Sequence, residues 1–167
     1  MRLSNSLKAT ALVSVTAAAT TLLIQACGGG DAVAQSATQI DTIVGVWEST
    51  ATIKDCSTGA ALGSFKGHSM FHHGGTVSAD NSRPPTTRGA AFGTWKHESG
   101  SVYSATLLFM RFNPDLTLAG TQKAKITRTL SADGNSFTGE VTGQVIDTAG
   151  AVSSTYCASD AGTRVTW

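Results

Sequence analysis

The chain has 167 residues, of which 41% are apolar and 14% charged, a length typical of a single domain. Its 18 glycines and 3 prolines, with abundant Thr, Ser and Val, favour strands over helices. The chain has twelve basic and eleven acidic residues. Arg2 and Lys8 lie in a segment that is expected to be removed, and without them the count is ten basic against eleven acidic residues. This balance excludes the basic surface that nucleic-acid binding requires.

The N-terminus has the features of an export signal. A positively charged start precedes residues 9–24, which are apolar apart from Ser and Thr. The following Ile24-Gln25-Ala26-Cys27 resembles the lipobox of bacterial lipoproteins, an aliphatic residue and then a small residue directly before cysteine. The resemblance implies cleavage before Cys27, a diacylglycerol on its thiol and an acyl chain, expected to be palmitate, on its amine. An ordinary secretory signal cut after Ala34 and a retained transmembrane helix are the alternatives.

The sequence therefore divides into three segments. Residues 1–26 are expected to be a lipoprotein signal peptide, residues 27–40 a flexible tether rich in Gly and small polar residues, and residues 41–167 the folded domain. The lipobox resemblance implies a membrane partner through the lipid anchor, in the cell envelope. In lipoproteins of Gram-negative cells, retention in the inner membrane is associated with aspartate directly after the cysteine. This chain has Gly28 at that position, so the implied location is the outer membrane, facing the periplasm.

Cys56 and Cys157 remain once Cys27 is assigned to lipidation. In an oxidising compartment they are expected to form one disulfide. Cys56 follows the first predicted strand and Cys157 lies near the last, and these two strands are neighbours in a closed barrel. A cysteine metal site lacks the Cys-x-x-Cys spacing that would favour it, so no metal is expected.

The predicted strands run through the whole domain. Those of the first half are expected at Ile43–Ile53, Phe65–His73, Thr76–Ser78 and Phe92–His97. Those of the second half are expected at Val102–Phe112, Gln122–Leu130, Phe137–Ile146 and Val152–Ala158, with Arg164–Trp167 closing the chain. Short turns separate most of them, whereas Asp80–Thr87, with two prolines, is a long irregular connection that can fold over a barrel mouth.

About eight strands in an even meander predict an all-β protein. A single antiparallel up-and-down barrel and a β-sandwich both give turn signals at this spacing. The cysteine pairing favours the closed barrel. Closure also removes exposed strand edges, which protects an exported protein from aggregation.

Gly45-Val46-Trp47 lies at the start of the first strand. It resembles the Gly-x-Trp signature of the calycins, the lipocalins and their relatives. In such barrels the glycine lets the strand bend and the indole plugs the barrel base. The resemblance implies an arginine from the C-terminal strand over the tryptophan, a cation–π contact, and Arg164 is the candidate. Other small barrels, such as allene-oxide-cyclase-like ones, stay open.

The strand Gln122–Leu130 has the clearest alternation. If its mostly apolar face points inward, Gln122 and Arg128 point inward as well. A buried arginine is costly unless paired, so Arg128 either meets a protein carboxylate or awaits an anionic ligand, whose carboxylate its planar fork would suit. The third possibility is an arginine at the barrel rim that reaches water.

The strand Val102–Phe112 is apolar on both faces, which indicates that one face lines a cavity while the other is covered or forms a contact surface. Either Met110 with Phe112, or Tyr103 with Arg111, belongs to that lining. The sequence contains no nucleophile elbow and no His-Glu-x-x-His motif, so no catalytic residue is singled out.

Three functions are compatible with these patterns. The first is a membrane-tethered envelope lipoprotein whose barrel binds a small apolar or amphipathic ligand, without a cofactor. The second is a structural or protein-interaction module with a filled barrel, which outward aromatics between Phe109 and Trp167 would favour; its protein partner cannot be named. The third and weakest is a small-barrel isomerase or cyclase, whose first sign would be a pair of buried polar groups facing a pocket.

Overall fold

Eight antiparallel strands close into one barrel in the computed structural model, which describes residues 42–167. The strands are β1 (Gly45–Lys54), β2 (Ala61–Phe71), β3 (Thr76–Asn81), β4 (Ala91–Ser99), β5 (Val102–Phe112), β6 (Leu118–Leu130), β7 (Ser136–Ile146) and β8 (Val152–Arg164). Each pairs with the next in sequence, and β8 pairs with β1. The predicted up-and-down barrel is confirmed, and the sandwich alternative is wrong. The predicted signal peptide, Cys27 lipidation and tether lie outside the described residues.

Several predicted strand boundaries differ from the structure: β2 begins at Ala61 instead of Phe65, β3 ends at Asn81 instead of Ser78, and β6 begins at Leu118 instead of Gln122. The last strand was expected to stop at Ala158 and resume at Arg164, but β8 runs unbroken through both. It pairs with β1 from Cys157, opposite Lys54, to Arg164, opposite Trp47, and with β7 on its other edge. These two ladders keep it extended despite its polar sequence. The irregular connection between β3 and β4 contains a single 3₁₀ turn at Pro85–Thr87.

One end of the barrel is filled by large side chains from successive strands. Its buried members are Ile43, Trp47, Phe71, Val77, Trp95, Tyr103, Leu130 and Phe137. Trp47 meets Phe137 edge-on with ring centroids 5.3 Å apart, and its indole nitrogen donates to the Ile43 carbonyl at 2.9 Å. Each aromatic pair stabilises the fold by about 0.5–1.5 kcal/mol beyond the free energy gained by burying its apolar surface. We call this the closed end.

Arg164 covers the outer side of the Trp47 ring. The two residues are opposite each other in the β1–β8 register, and the Arg164 Cζ lies 4.3 Å from the indole centroid. The guanidinium donates to the carbonyls of Val44, at 2.7 Å, and of Gly134, and also to that of Thr42. Gly45 has a φ of 133°, and a Cβ there would lie 2.7 Å from the Arg164 Nη1. Glycine at this position therefore leaves room for the arginine.

The opposite end carries the disulfide. Cys56 lies just after β1 and Cys157 lies in β8, with Cα atoms 5.3 Å apart and a sequence separation of 101 residues. The predicted pairing is confirmed. In the chain-entropy model, a disulfide that closes a loop of about 100 residues stabilises the folded protein by up to about 4.7 kcal/mol. The bond therefore holds the first strand to the last at the end away from Trp47.

Candidate functional site

The barrel is hollow at the end opposite Trp47. A cavity of about 370 Å³ lies there, because inward positions that carry aromatic rings at the closed end carry alanine farther along the strands. These small wall residues are Ala51, Ala79, Ala91, Ala124 and Ala158. Leu107, Ile126 and Val141 complete an apolar middle section. We call the end around this cavity the open end.

An ion pair forms the floor of the cavity, where it meets the closed end. Arg128 and Asp160 are each 5% exposed. The Asp160 Oδ2 accepts from the Arg128 Nη2 at 2.6 Å and from Nε at 3.0 Å, and the Arg128 Nη1 donates to the Ser69 hydroxyl at 2.9 Å. Burial lowers the pKa of Arg128, and the charge of Asp160 opposes that shift. Arg128 therefore meets a protein carboxylate, and the alternative of a rim arginine reaching water is wrong.

A glycine on β7 makes this pair possible. Arg128 on β6 and Asp160 on β8 are not on neighbouring strands, but both are opposite Gly139 on the strand between them. A Cβ at Gly139 would lie 3.1 Å from the Arg128 Cγ and 2.5 Å from the Thr127 carbonyl oxygen. Because glycine has no side chain, the guanidinium can pass over β7 to reach the carboxylate.

The second oxygen of this carboxylate is not satisfied. Asp160 Oδ1 is buried and has no hydrogen-bond partner among the described residues, and Arg88 Nε is in the same condition. Such groups are rare in native proteins, because an unpaired buried polar atom lowers the stability of the fold by about 1–3 kcal/mol. Both residues line the cavity, Asp160 at its floor and Arg88 at the other end.

Arginines surround the mouth of the cavity. Arg88 is 8% exposed, donates to the Asp80 Oδ1 at 2.8 Å and places its Cζ 4.6 Å from the Phe109 ring centroid. Arg83 lies over the Phe65 ring at the same distance. Arg111 also lines the cavity. The sequence prediction missed Arg83 and Arg88, because they lie at the irregular connection, where no alternation shows which side chains point inward.

The five residues predicted to bind a ligand fall into two groups. Arg128, Gln122 and Phe112 line the cavity. Met110 is 59% exposed on the outer surface, and Tyr103 belongs to the closed end, where its hydroxyl lies 2.7 Å from the Thr42 Oγ1.

Arg111 and Phe112 both line the cavity although they are consecutive in β5. The β5–β6 register shifts beside them, because Arg111 is opposite Gly120 and Phe112 is opposite Leu118, which leaves Ala119 as the extra residue on β6. An irregularity of this kind increases the local twist of the strand pair. Simple alternation from the sequence allowed either the Tyr103–Arg111 set or the Met110–Phe112 set, and each set contributes one residue.

Tyr156 extends across the interior near the mouth. It is opposite Gly143 in the β7–β8 register, where a Cβ would lie 2.0 Å from the ring, so the glycine gives the ring its space. Burial raises the pKa of Tyr156, while a hydrogen bond with Gln122 and the charges of Arg83 and Arg88 lower it. The phenol is therefore neutral at physiological pH and can both donate and accept a hydrogen bond.

An exposed apolar area lies on the outer surface of β4 and β5. Phe92 on β4 and Leu108 on β5 are directly opposite each other, and both are exposed, as are Met70 and Met110. Outward aromatics between Phe109 and Trp167 were the predicted sign of an interaction module. Phe109 lines the cavity instead, while Trp167 is fully exposed.

No protein-family model, curated protein or solved structure matches the chain. The architecture itself, an eight-stranded antiparallel barrel, is consistent with a lipocalin-like fold. Within residues 42–167, no group of three or more His, Cys, Asp or Glu side chains is placed to hold a metal ion. In the same part of the chain, no helix has the length and apolar character needed to cross a membrane.

Proposed function

We propose that this protein binds a small apolar or amphipathic molecule inside the open end of its barrel. The lipid anchor predicted at Cys27 would hold that barrel at the cell envelope, on the periplasmic face of the outer membrane. The observation that carries the proposal is the cavity of about 370 Å³, which falls in the range of about 300–1,000 Å³ typical of ligand pockets.

The character of the lining supports the same function. Ligand pockets are mostly apolar with a few polar groups that fix orientation. Here the alanine-rich middle section is apolar, and the charged side chains lie at the floor and at the mouth; Ser49 and Ser69 also line the cavity, and Ser69 is bonded to Arg128. An elongated molecule with an apolar body fits this distribution.

Binding of a neutral fluorescent probe tests the proposal. N-phenyl-1-naphthylamine should bind the full chain saturably, with a rise in fluorescence. Ala124→Phe, which places a ring in the cavity, should abolish the rise. Thr127→Phe on the same strand points outward and is the matched control, so it should leave binding unchanged. Equal binding by wild type and Ala124→Phe, or no saturable binding at all, would contradict the proposal.

A protein-interaction module of the envelope is a second candidate, supported by the exposed apolar pair Phe92 and Leu108. Exposed apolar areas of this kind often mark contact surfaces. Chemical cross-linking in cells should then give an adduct that Phe92→Ser with Leu108→Ser removes and that Leu62→Ser, at another exposed apolar residue, does not. An identical pattern for all three proteins would argue against it.

An isomerase or cyclase is the third candidate, because Arg128 and Asp160 are a pair of buried polar groups facing a cavity. A molecule that copurifies with the protein should then change its chromatographic retention at constant mass during incubation. Asp160→Asn should stop the change. A bound molecule that stays the same in both proteins would exclude this activity for that molecule.

A further inference from the structure

We propose that the ligand is an anionic amphiphile, held with its oxyanion head at the arginines of the mouth and its apolar tail along the alanine-rich wall. This inference rests on the proposed binding function and names the class of molecule bound. The head-group site consists of Arg83, Arg88 and Arg111, with Tyr156 and Gln122 beside them. We call it the arginine mouth.

The charges around the cavity are not balanced. Four arginines and two aspartates line it. Asp160 pairs with Arg128 and Asp80 with Arg88, whereas Arg83 and Arg111 form no ion pair with a carboxylate of residues 42–167. Within residues 42–167, the mouth therefore carries two positive charges that no carboxylate neutralises, which attracts a negatively charged molecule from solution.

Arg88 is already held in position for an anion. Its guanidinium is buried, packs on the Phe109 ring and is fixed through Nη1 by Asp80. An isolated β-bridge ties its backbone to that of Arg111. Its Nε donor has no partner among the described residues. Arg88 lines the cavity, and a hydrogen bond from its guanidinium to an oxyanion would join two charged partners, which makes it one of the strong kinds.

The floor of the cavity does not offer an equivalent site. Arg128 is neutralised by Asp160 and already donates three hydrogen bonds, two to that carboxylate and one to Ser69. The free oxygen of Asp160 would repel an anionic head placed there. The head therefore lies at the mouth, and the uncharged tail passes the apolar middle section.

The volume suits a tail of a single chain. The cavity of about 370 Å³ lies at the low end of the range of about 300–1,000 Å³ typical of ligand pockets. Ten-carbon amphiphiles are therefore suitable probes. Decanoate and decyl sulfate present two different oxyanions, decanol a neutral head, and decyltrimethylammonium a cationic one.

Displacement of N-phenyl-1-naphthylamine from the full chain measures the four affinities. We expect decanoate and decyl sulfate to bind at least about tenfold more tightly than decanol, and decyltrimethylammonium to bind more weakly than decanol. Raising the salt concentration should weaken the anions and leave decanol nearly unchanged.

Variants locate the head group. Arg83→Gln and Arg111→Gln should each weaken decanoate several-fold, and the double variant about tenfold or more, with decanol unaffected. Lys125→Gln removes the same charge from an outward, exposed position of β6 and should change neither ligand. Because Arg88 is buried, Arg88→Gln is interpreted only if its thermal unfolding resembles that of the wild type.

The outcomes distinguish a failure of the anionic ligand from a failure of the binding function. Equal affinity for decanol and decanoate, tighter binding of the ammonium compound, or equal loss in the Lys125→Gln control would overturn the anionic ligand and leave the binding function standing. The same holds if the probe binds and none of the four amphiphiles displaces it. If the probe itself does not bind, the proposed function fails first.

Discussion

The two ends of the barrel use the same strands for opposite purposes. At the closed end the inward positions hold rings such as Trp47, Phe71 and Trp95, which pack against one another. At the open end several of the same strands carry alanines at the level of the cavity, while Phe109, Phe112 and Tyr156 lie around it. The strand alternation that fixes which residues face inward is shared, so small inward side chains in the middle section leave room for the cavity.

Removal of Trp47 should have the largest effect on stability. Trp47→Ala deletes a fully buried ring that contacts Phe137 and Arg164, and truncations of this kind cost about 3–5 kcal/mol. Urea unfolding followed by circular dichroism measures the loss. Trp167→Ala, at a fully exposed ring, is the control and should be nearly neutral. A loss below about 1 kcal/mol for Trp47→Ala would mean that the closed end does not hold the barrel together.

The ion pair at the boundary between the two ends gives the second prediction. Asp160→Leu leaves the Arg128 charge buried without a carboxylate, which should cost about 3–5 kcal/mol. Adding Arg128→Met should restore most of that loss, because the replacement pair is apolar. Urea unfolding of the three proteins measures the coupling. A double variant that is less stable than Asp160→Leu would show that the hydrogen bond from Arg128 to Ser69 matters more than the ion pair.

The disulfide, which lies at the open end, gives the third prediction. Cys56→Ser with Cys157→Ser should lower the free energy of unfolding by about 2–4 kcal/mol. Because the closed end keeps its packing, the variant should still fold, and its near-ultraviolet circular dichroism should retain the signals of the buried tryptophans. Treatment of the wild type with a reducing agent should give the same stability as the double variant. Loss of the tryptophan signals would indicate that the barrel closes only when covalently joined.

The sequence predicted one end of the molecule better than the other. Gly45-Val46-Trp47 and the strand alternation placed the closed end, and Cys56 and Cys157 placed the contact between the first and last strands. The open end depends on contacts that alternation does not encode. The Arg128–Asp160 pair needs a glycine on the intervening strand, and Phe112 lines the cavity together with its neighbour Arg111, beside a register shift between β5 and β6. Arg88 reaches it from an irregular segment that the backbone bridge to Arg111 holds in place.

The smallest expected effect concerns Tyr156 at the mouth. The chain has two tyrosines, so Tyr103→Phe leaves Tyr156 as the single phenol to be titrated by its ultraviolet absorbance. Burial raises the pKa of Tyr156 above the ordinary value of 10.0, so its ionisation should begin later in the folded protein than in urea. Because the folded state holds this proton more tightly than the unfolded one, its contribution to stability is complete below about pH 10 and is lost as the pH rises through the folded-state pKa.

Decanoate bound at the arginine mouth should raise the titration midpoint of Tyr156 further, since a second negative charge would lie near the phenolate. A midpoint at or below that of the unfolded chain would mean that water reaches the ring, and that the open end is wider than the structure shows.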